Sequence, residues 1–205
     1  MQHWSTMTTT DGRKARGAIS RSTVMRLAVD IASVEGLEGL SIGTLATGAK
    51  LSKSGVVALF GTKEQLQLAA IDAAREIFIG AVIAPALAVK GGRARLDTLL
   101  EGWIQYSETR VFAGGCFFAA AMAEVGSRPG PLRDAVANQM EAWADTLRRV
   151  INRAVDLDEL ELTADLDQLV FEIRALLDGA NTDSLLLGSS APYARVRVAL
   201  KRLLP

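Results

Sequence analysis

The sequence has a single cysteine and a single histidine among its 205 residues. One cysteine cannot form a disulfide within the chain, which favours a reducing, cytoplasmic location. Because His3 is the only histidine, Ser-His triads, H-E-x-x-H zinc sites and Glu-x-x-His di-iron sites are excluded. No G-x-x-x-x-G-K-[ST] or G-x-G-x-x-G phosphate-binding motif is present. We therefore expect no enzyme activity, no catalytic residues, no metal and no cofactor.

Aromatic residues make up only 5% of the chain, and its five prolines are widely spaced. With few β-branched runs, this composition favours an all-α protein over a β-sandwich or a disordered chain. No apolar run approaches the ~18 residues of a membrane span, so we expect no membrane partner. Residues 1–17 are polar without an apolar centre, and we interpret them as a flexible basic arm rather than a secretory peptide.

The net charge of zero conceals an uneven distribution. Residues 1–66 hold eight Lys and Arg against five Asp and Glu, whereas residues 67–205 hold fifteen against eighteen. This division predicts a basic module joined to a mildly acidic one.

Apolar spacing predicts three short helices within residues 22–60 that share one small core. Ser41 and Ser52 are suited to cap the second and third of these helices. Thr62 and Gln65 form a T-x-x-Q capping box that opens a fourth helix, expected to run to the neighbourhood of Pro85. Further helices are predicted at 93–110, 115–126, 131–155, 163–188 and 193–204.

The second and third helices have the layout of a helix-turn-helix. A helix enters the DNA major groove, roughly 12 Å wide, when its outer face is small and its first turn carries hydrogen-bond donors. The third helix begins Ser52-Lys53-Ser54-Gly55, which offers backbone amides and one ammonium group to phosphate or guanine, and Gly55 permits close approach.

The stretch SIGTLATGAKLSKSGVVALFGTKEQL, preceded by VMRLAVDIASVEGLEGLS, resembles the DNA-binding domain of TetR-type transcriptional repressors. GGCFFAAAMAEVGSRPGPLRDAV, residues 114–136, resembles the regulatory domain of one branch of that family. The resemblance implies an all-α fold with a three-helix helix-turn-helix domain over 18–66 and a helical ligand-binding and dimerisation domain over 67–205. It further implies a ligand-responsive regulator, expected to be a repressor that binds a palindromic operator.

The resemblance implies DNA contacts from a small set of exposed side chains. Thr44 lies on the second helix, Lys63 matches the phosphate anchor of the family, and the arm would reach the minor groove through Arg13, Lys14 and Arg16. The full expected set is Thr44, Ser52, Lys53, Ser54, Gly55, Ala58, Lys63 and Arg16.

Two departures from the family pattern bear on DNA affinity. Lys50 stands where the family usually has a turn glycine. If that position needs a positive φ, lysine either costs on the order of 1 kcal/mol there or forces a different turn. Val57, Ala58 and Leu59 occupy positions where tyrosine, polar or basic residues and histidine are common. We expect weaker or more selective DNA binding, not a different fold.

The resemblance also implies a dimer through residues 163–204 and a pocket for a small, largely apolar effector enclosed by the middle helices. Asp178 and Asn181 are expected to set the dimer register, and Cys116 to be a buried structural thiol. Most of the pocket candidates also fit plain core packing, and only the tyrosine and tryptophans carry a polar group. The candidates are Phe78, Trp103, Tyr106, Phe117, Phe118, Met122, Trp143, Leu147 and Phe171.

Two other interpretations stay open. In the first, the lysines of the first 66 residues form an ordinary solvent-exposed surface, and the helix-turn-helix geometry serves packing alone. Alternatively, the chain is a helical adaptor that binds only protein, if Lys50 has disrupted the DNA-binding motif.

Overall fold

The computed structural model describes residues 10–162 and 164–205, with side chains from residue 21 onward. In these ranges the chain is α-helical and has no strand, which confirms the all-α prediction. A π-helical segment, Ile79–Ile83, separates α4 from α5. The helices are α1 Thr10–Glu35, α2 Ile42–Gly48, α3 Lys53–Phe60, α4 Lys63–Phe78, α5 Ala84–Ala88, α6 Arg93–Glu108, α7 Phe117–Val125, α8 Pro131–Asp156, α9 Leu166–Leu187 and α10 Ala191–Leu203.

Helix α1 begins earlier than the sequence predicts. It starts at Thr10, so the residues interpreted as a flexible arm are helical from that point. The reason is composition: residues 10–21 contain no proline, and arginine, lysine and alanine are strong helix formers. The arm side chains Arg13, Lys14 and Arg16 lie outside the described side chains.

Helices α1–α3 pack together, as predicted, but their buried residues belong to one core that continues into the remaining helices of the described chain. Helix α1, with 26 residues, is not a short helix. Val24, Leu45 and Val56, one from each helix, have no exposed surface, and Phe60 closes the end of α3. The chain turns after α1 at Gly36, whose φ of 76° is readily adopted only by glycine. These contacts fix the angle at which α2 and α3 meet.

Helix α4 joins the N-terminal helices to the rest of the molecule. Its capping box is confirmed: Thr62 Oγ1 accepts from the Gln65 amide at 3.2 Å, and the Gln65 side chain accepts from the Thr62 amide at 2.9 Å. The helical path continues past Pro85 to Ala88, which corrects the predicted end. A proline that donates no backbone hydrogen bond is tolerated here because it occupies the first turn of α5, after the wider π turn.

Helices α6–α10 form the larger part of the core, and α9 packs along α10. Asn181 is 3% exposed and accepts hydrogen bonds from Ser107 Oγ at 2.8 Å and from the Cys116 amide at 2.9 Å. The prediction that Asn181 sets a dimer register is therefore wrong, because the side chain is buried and its Oδ1 accepts two hydrogen bonds within the same subunit. Cys116 is buried, as predicted, and burial raises its pKa to about 12.

No helix in the part of the chain that the structure describes combines the length and the apolar character needed to cross a bilayer.

Candidate nucleic-acid interface

The turn between α2 and α3 keeps a left-handed residue although glycine is absent. Lys50 has a φ of 56°, and the chain closes through hydrogen bonds from the Leu51 amide to Ala46 at 2.9 Å and from the Lys50 amide to Thr47 at 3.2 Å. A lysine in this region costs roughly 1–2 kcal/mol. The helix-turn-helix geometry is retained at the expense of local strain, as the first of the two predicted alternatives for Lys50 required.

The first turn of α3 is open to solvent. Ser52 Oγ accepts from the Gly55 amide at 3.0 Å and also lies 3.1 Å from Ser54 Oγ, which confirms Ser52 as the N-cap. Ser52, Lys53 and Ser54 are exposed, and Gly55 is half-buried. The turn therefore presents small polar groups and one cation to the outside, where phosphate or a base edge can approach.

Lys53 lies against the neighbouring helix. A Cβ placed on Gly43 of α2 would lie 3.5 Å from Lys53 Cε and 3.9 Å from Nζ, so the lysine stem passes over this glycine. Thr44, the next residue on α2, is exposed, and its hydroxyl is 2.7 Å from Ser41 Oγ. The structure thus brings Thr44 and Lys53 to one surface.

The outer face of α3 beyond its first turn is apolar. Ala58 is exposed, and 47% of Val57 is accessible to solvent, whereas Val56 and Phe60 are buried. This face is smooth and small enough to enter a groove, but it offers no side-chain donor of its own. Base readout would therefore depend on the first turn and on apolar contact with thymine methyl groups.

Lys63, the predicted phosphate anchor, already has a partner within the chain. Its Nζ donates to the Glu38 carboxylate at 2.7 Å and to the Glu38 carbonyl at 3.0 Å. The hydrogen bond from Lys63 lowers the pKa of Glu38. An ammonium group has three donors, so one is left for a phosphate.

Sequence reasoning missed Glu124, a half-buried residue of α7. Its two carboxylate oxygens accept from the backbone amides of Leu37 and Glu38, in the turn after α1. Two more contacts secure this junction: Gln67 Nε2 donates to the Leu37 carbonyl at 2.8 Å, and the Gly114 amide donates to Ser33 Oγ at 3.0 Å. No local sequence pattern could predict this role, because the residues that Glu124 binds lie almost ninety positions away in the sequence.

The predicted effector residues form a packed aromatic cluster. Phe78 contacts Tyr106 and Trp143 edge-on, with centroids 5.4 and 5.3 Å apart, and Phe112 lies 5.8 Å from Tyr106. Tyr106 Oη is buried without a hydrogen-bond partner, and burial raises the pKa of Tyr106. Four further candidates are also buried: Trp103, Phe117, Phe118 and Leu147.

Two predicted effector residues lie elsewhere. Phe171 is 66% exposed on α9, so its placement beside the cluster is wrong: the apolar stripe of α9 is wider than the core, and Phe171 is on its outer edge. Met122 is half-buried and borders a surface groove between α7, α8 and α9.

Comparisons with known proteins point in one direction. A family model described as "Tetracyclin repressor-like, C-terminal domain" matches residues 92–200, more than half of the chain. A search of curated proteins found no match.

Several solved structures share the fold. A TetR transcriptional regulator from Chloroflexus aurantiacus is 24% identical with a TM-score of 0.82, covering 93% of this chain and 98% of that chain. A TetR-family regulator from Agrobacterium tumefaciens has the same TM-score at 15% identity, covering 92% and 100%. AibR, solved in complex with isovaleryl coenzyme A and operator DNA, is 18% identical with a TM-score of 0.63, covering 82% and 86%.

Proposed function

The chain belongs to the tetracycline repressor-like family of transcriptional regulators, whose members are not enzymes, and we propose that it is a repressor that binds a palindromic operator as a homodimer and is released by a small effector. The domain limits of 18–66 for DNA binding and 67–205 for regulation are part of this proposal. The boundary falls within α4, which both parts share.

The observation that carries the DNA-binding proposal is the open first turn of α3. Ser52, Lys53 and Ser54 are exposed beside Thr44 of α2, and the turn before them keeps its shape despite Lys50. This arrangement offers backbone donors and a cation to one duplex surface. Lys63 adds one remaining donor at the edge of that surface.

The dimer proposal rests on the outer faces of α9 and α10. Phe171, Leu186 and Val198 are 66%, 80% and 51% exposed, which is an unusual amount of apolar surface for two neighbouring helices. Packing these helices against their copies in a second chain would bury this surface and form a four-helix bundle. A dimer would place two α3 helices roughly 34 Å apart, the spacing of successive major grooves.

The proposed response to an effector uses the junction around Glu124. AibR, which has a similar fold, has been solved in complex with isovaleryl coenzyme A and operator DNA, so one protein of this fold binds both an organic ligand and DNA. In this chain, α7 contacts the turn after α1 through Glu124, and α4 contacts the same turn through Gln67. Movement of either helix would therefore change the position of α2 and α3 relative to their copies.

Selection of bound sequences from random duplex DNA tests the proposal. We expect enrichment of a palindrome with half-sites one helical turn apart, and retention that weakens as salt increases. No enrichment, combined with capture of protein partners through the α3 face, would instead support the adaptor interpretation.

A further inference from the structure

A surface groove of about 330 Å³ lies between α7, α8 and α9 and is separate from the aromatic cluster. Its volume is at the lower end of the range of about 300–1,000 Å³ that is usual for small-molecule sites. Of the predicted effector residues, only Met122 lines it. The groove is lined by Met122, Val125, Gly126, Arg133, Val136, Ala137, Met140, Glu141 and Arg174.

Arg174 of α9 contributes a half-buried cation to the lining of this groove. Its Nε is buried and has no hydrogen-bond partner among the described residues. A buried guanidinium donor without an acceptor is uncommon, because the group loses water and gains nothing in return. Arg174 as a whole is half-buried and lines the groove, so its terminal nitrogens, which are not among the buried atoms, are the donors that an occupant can reach.

The charged lining of the groove consists of two arginines and one acid, and that acid already has a partner. Glu141 is engaged by Arg148 at 2.9 Å, and Arg133, at the rim, makes only a long contact of 3.4 Å with Asp134. Asp178, one turn after Arg174, interacts with the charge of Arg174, although burial raises the pKa of Asp178 overall. The groove therefore favours negative charge in its occupant.

The walls of the groove are apolar and adaptable. Met122 and Met140 face it from α7 and α8, and Val136 is buried at its base. Methionine side chains adjust to ligands of irregular shape. An occupant would place an apolar body between the methionines and an anionic head at Arg174, where a guanidinium binds a carboxylate through two parallel hydrogen bonds.

We propose that this groove is the effector site and that it binds a small amphipathic carboxylate, with Arg174 holding the anionic head. The inference rests on the proposed function, since it names the ligand class for that regulation. It also gives a structural connection between the groove and the DNA-binding helices. Met122 and Val125 line the groove, and Glu124 of the same helix binds the turn after α1. A ligand that displaces α7 would move this turn directly.

Calorimetric titration of the full chain with octanoate, octan-1-ol and octylammonium tests the proposal. We expect octanoate to bind at least tenfold more tightly than the alcohol, and octylammonium to bind no better than the alcohol. Arg174→Gln should reduce octanoate affinity to that of the alcohol, whereas Arg153→Gln, an exposed arginine elsewhere on α8, should leave it unchanged. Failure of octanoate to bind the wild type, or equal affinity in Arg174→Gln, would overturn the proposal.

A second variant tests the same site independently in case Arg174→Gln does not fold. Ala137 is exposed at the groove, so Ala137→Glu should preserve the helix while repelling an anion, and it should abolish octanoate binding without weakening octan-1-ol binding. Unchanged octanoate binding in Ala137→Glu would also reject the site.

DNA binding by the same samples separates this inference from the proposed function. Octanoate should reduce wild-type affinity for the selected duplex at least tenfold and leave Arg174→Gln unaffected. If the wild type binds DNA but not octanoate, only the groove proposal fails. If it binds octanoate and no duplex, the repressor proposal fails, and with it the role of the groove as an effector site.

Discussion

The Glu124 carboxylate accepts the backbone amide of Glu38 at 2.8 Å, linking helix α7 to the turn between α1 and α2 across 86 residues of sequence. In the same turn, the Leu37 amide donates a hydrogen bond to the second oxygen of the Glu124 carboxylate. Glu38 in turn binds Lys63 at the start of α4. One loop therefore connects the regulatory helices to both sides of the helix-turn-helix.

Glu124→Ala is expected to destabilise the chain by about 1–3 kcal/mol, because two backbone amides lose their acceptors. The free energy of unfolding measured by urea titration checks this. Glu76→Ala, at an exposed carboxylate on α4, is the matched control and should stay within about 0.5 kcal/mol of the wild type. Equal losses in the two variants would show that the Glu124 contacts contribute nothing.

Lys50→Gly is expected to stabilise the chain. Glycine removes the strain of a φ of 56°, and after its larger unfolded-state entropy is subtracted the net gain should be about 0.5–1 kcal/mol. Lys50→Ala retains the strain and serves as the control. A thermal unfolding midpoint that rises for glycine but not for alanine confirms the prediction, and a midpoint that falls for glycine contradicts it.

Acid should weaken a contact between α6 and α10. The hydrogen bond from Arg197 lowers the pKa of Glu101 below its ordinary value of 4.5, against the opposing effect of burial. A carboxyl whose folded pKa is depressed adds stability above the unfolded pKa and loses it as pH falls through the folded pKa.

We therefore expect the wild-type free energy of unfolding to fall more steeply below pH 4.5 than that of Glu101→Gln. Urea titrations at successive pH values measure both slopes. Glu161→Gln, at an exposed position outside the helices, should follow the wild type. Parallel curves for the wild type and Glu101→Gln would contradict the assignment.

Phe171→Glu is expected to convert a dimer into a monomer, because burying a carboxylate in an apolar bundle is costly. Sedimentation equilibrium measures the change. Leu87→Glu places the same charge at a half-exposed leucine of α5 and should leave the dimer intact. A wild-type chain that sediments as a monomer would reject the proposed α9–α10 interface.

Local signals in the sequence predicted most of the fold. Ser41, Ser52 and the Thr62–Gln65 capping box act within four residues, so their side chains determine the helix starts regardless of the rest of the chain. The start of α1 was mispredicted because a charged segment without apolar periodicity gives no sign of its helical state.

Contacts between distant residues were not predictable from the sequence. Asn181 interrupts an apolar stripe and so resembles a register-setting residue, but its partners Ser107 and Cys116 lie 74 and 65 positions away. The roles of Glu124 and Arg174 could not be predicted for the same reason. A charged residue on a helix looks like ordinary surface in the sequence, and its partners and burial depend on the tertiary fold.

The DNA-binding proposal is tested most directly by the DNA affinity of the wild type and of Lys53→Ala, measured by fluorescence anisotropy on the selected duplex over a range of salt concentrations. We expect salt-sensitive binding by the wild type. For Lys53→Ala we expect either a salt slope reduced by about 1 per lost phosphate contact or about 1–3 kcal/mol less discrimination at one base position. Wild-type binding that does not depend on salt, or a Lys53→Ala variant indistinguishable from the wild type, would contradict it.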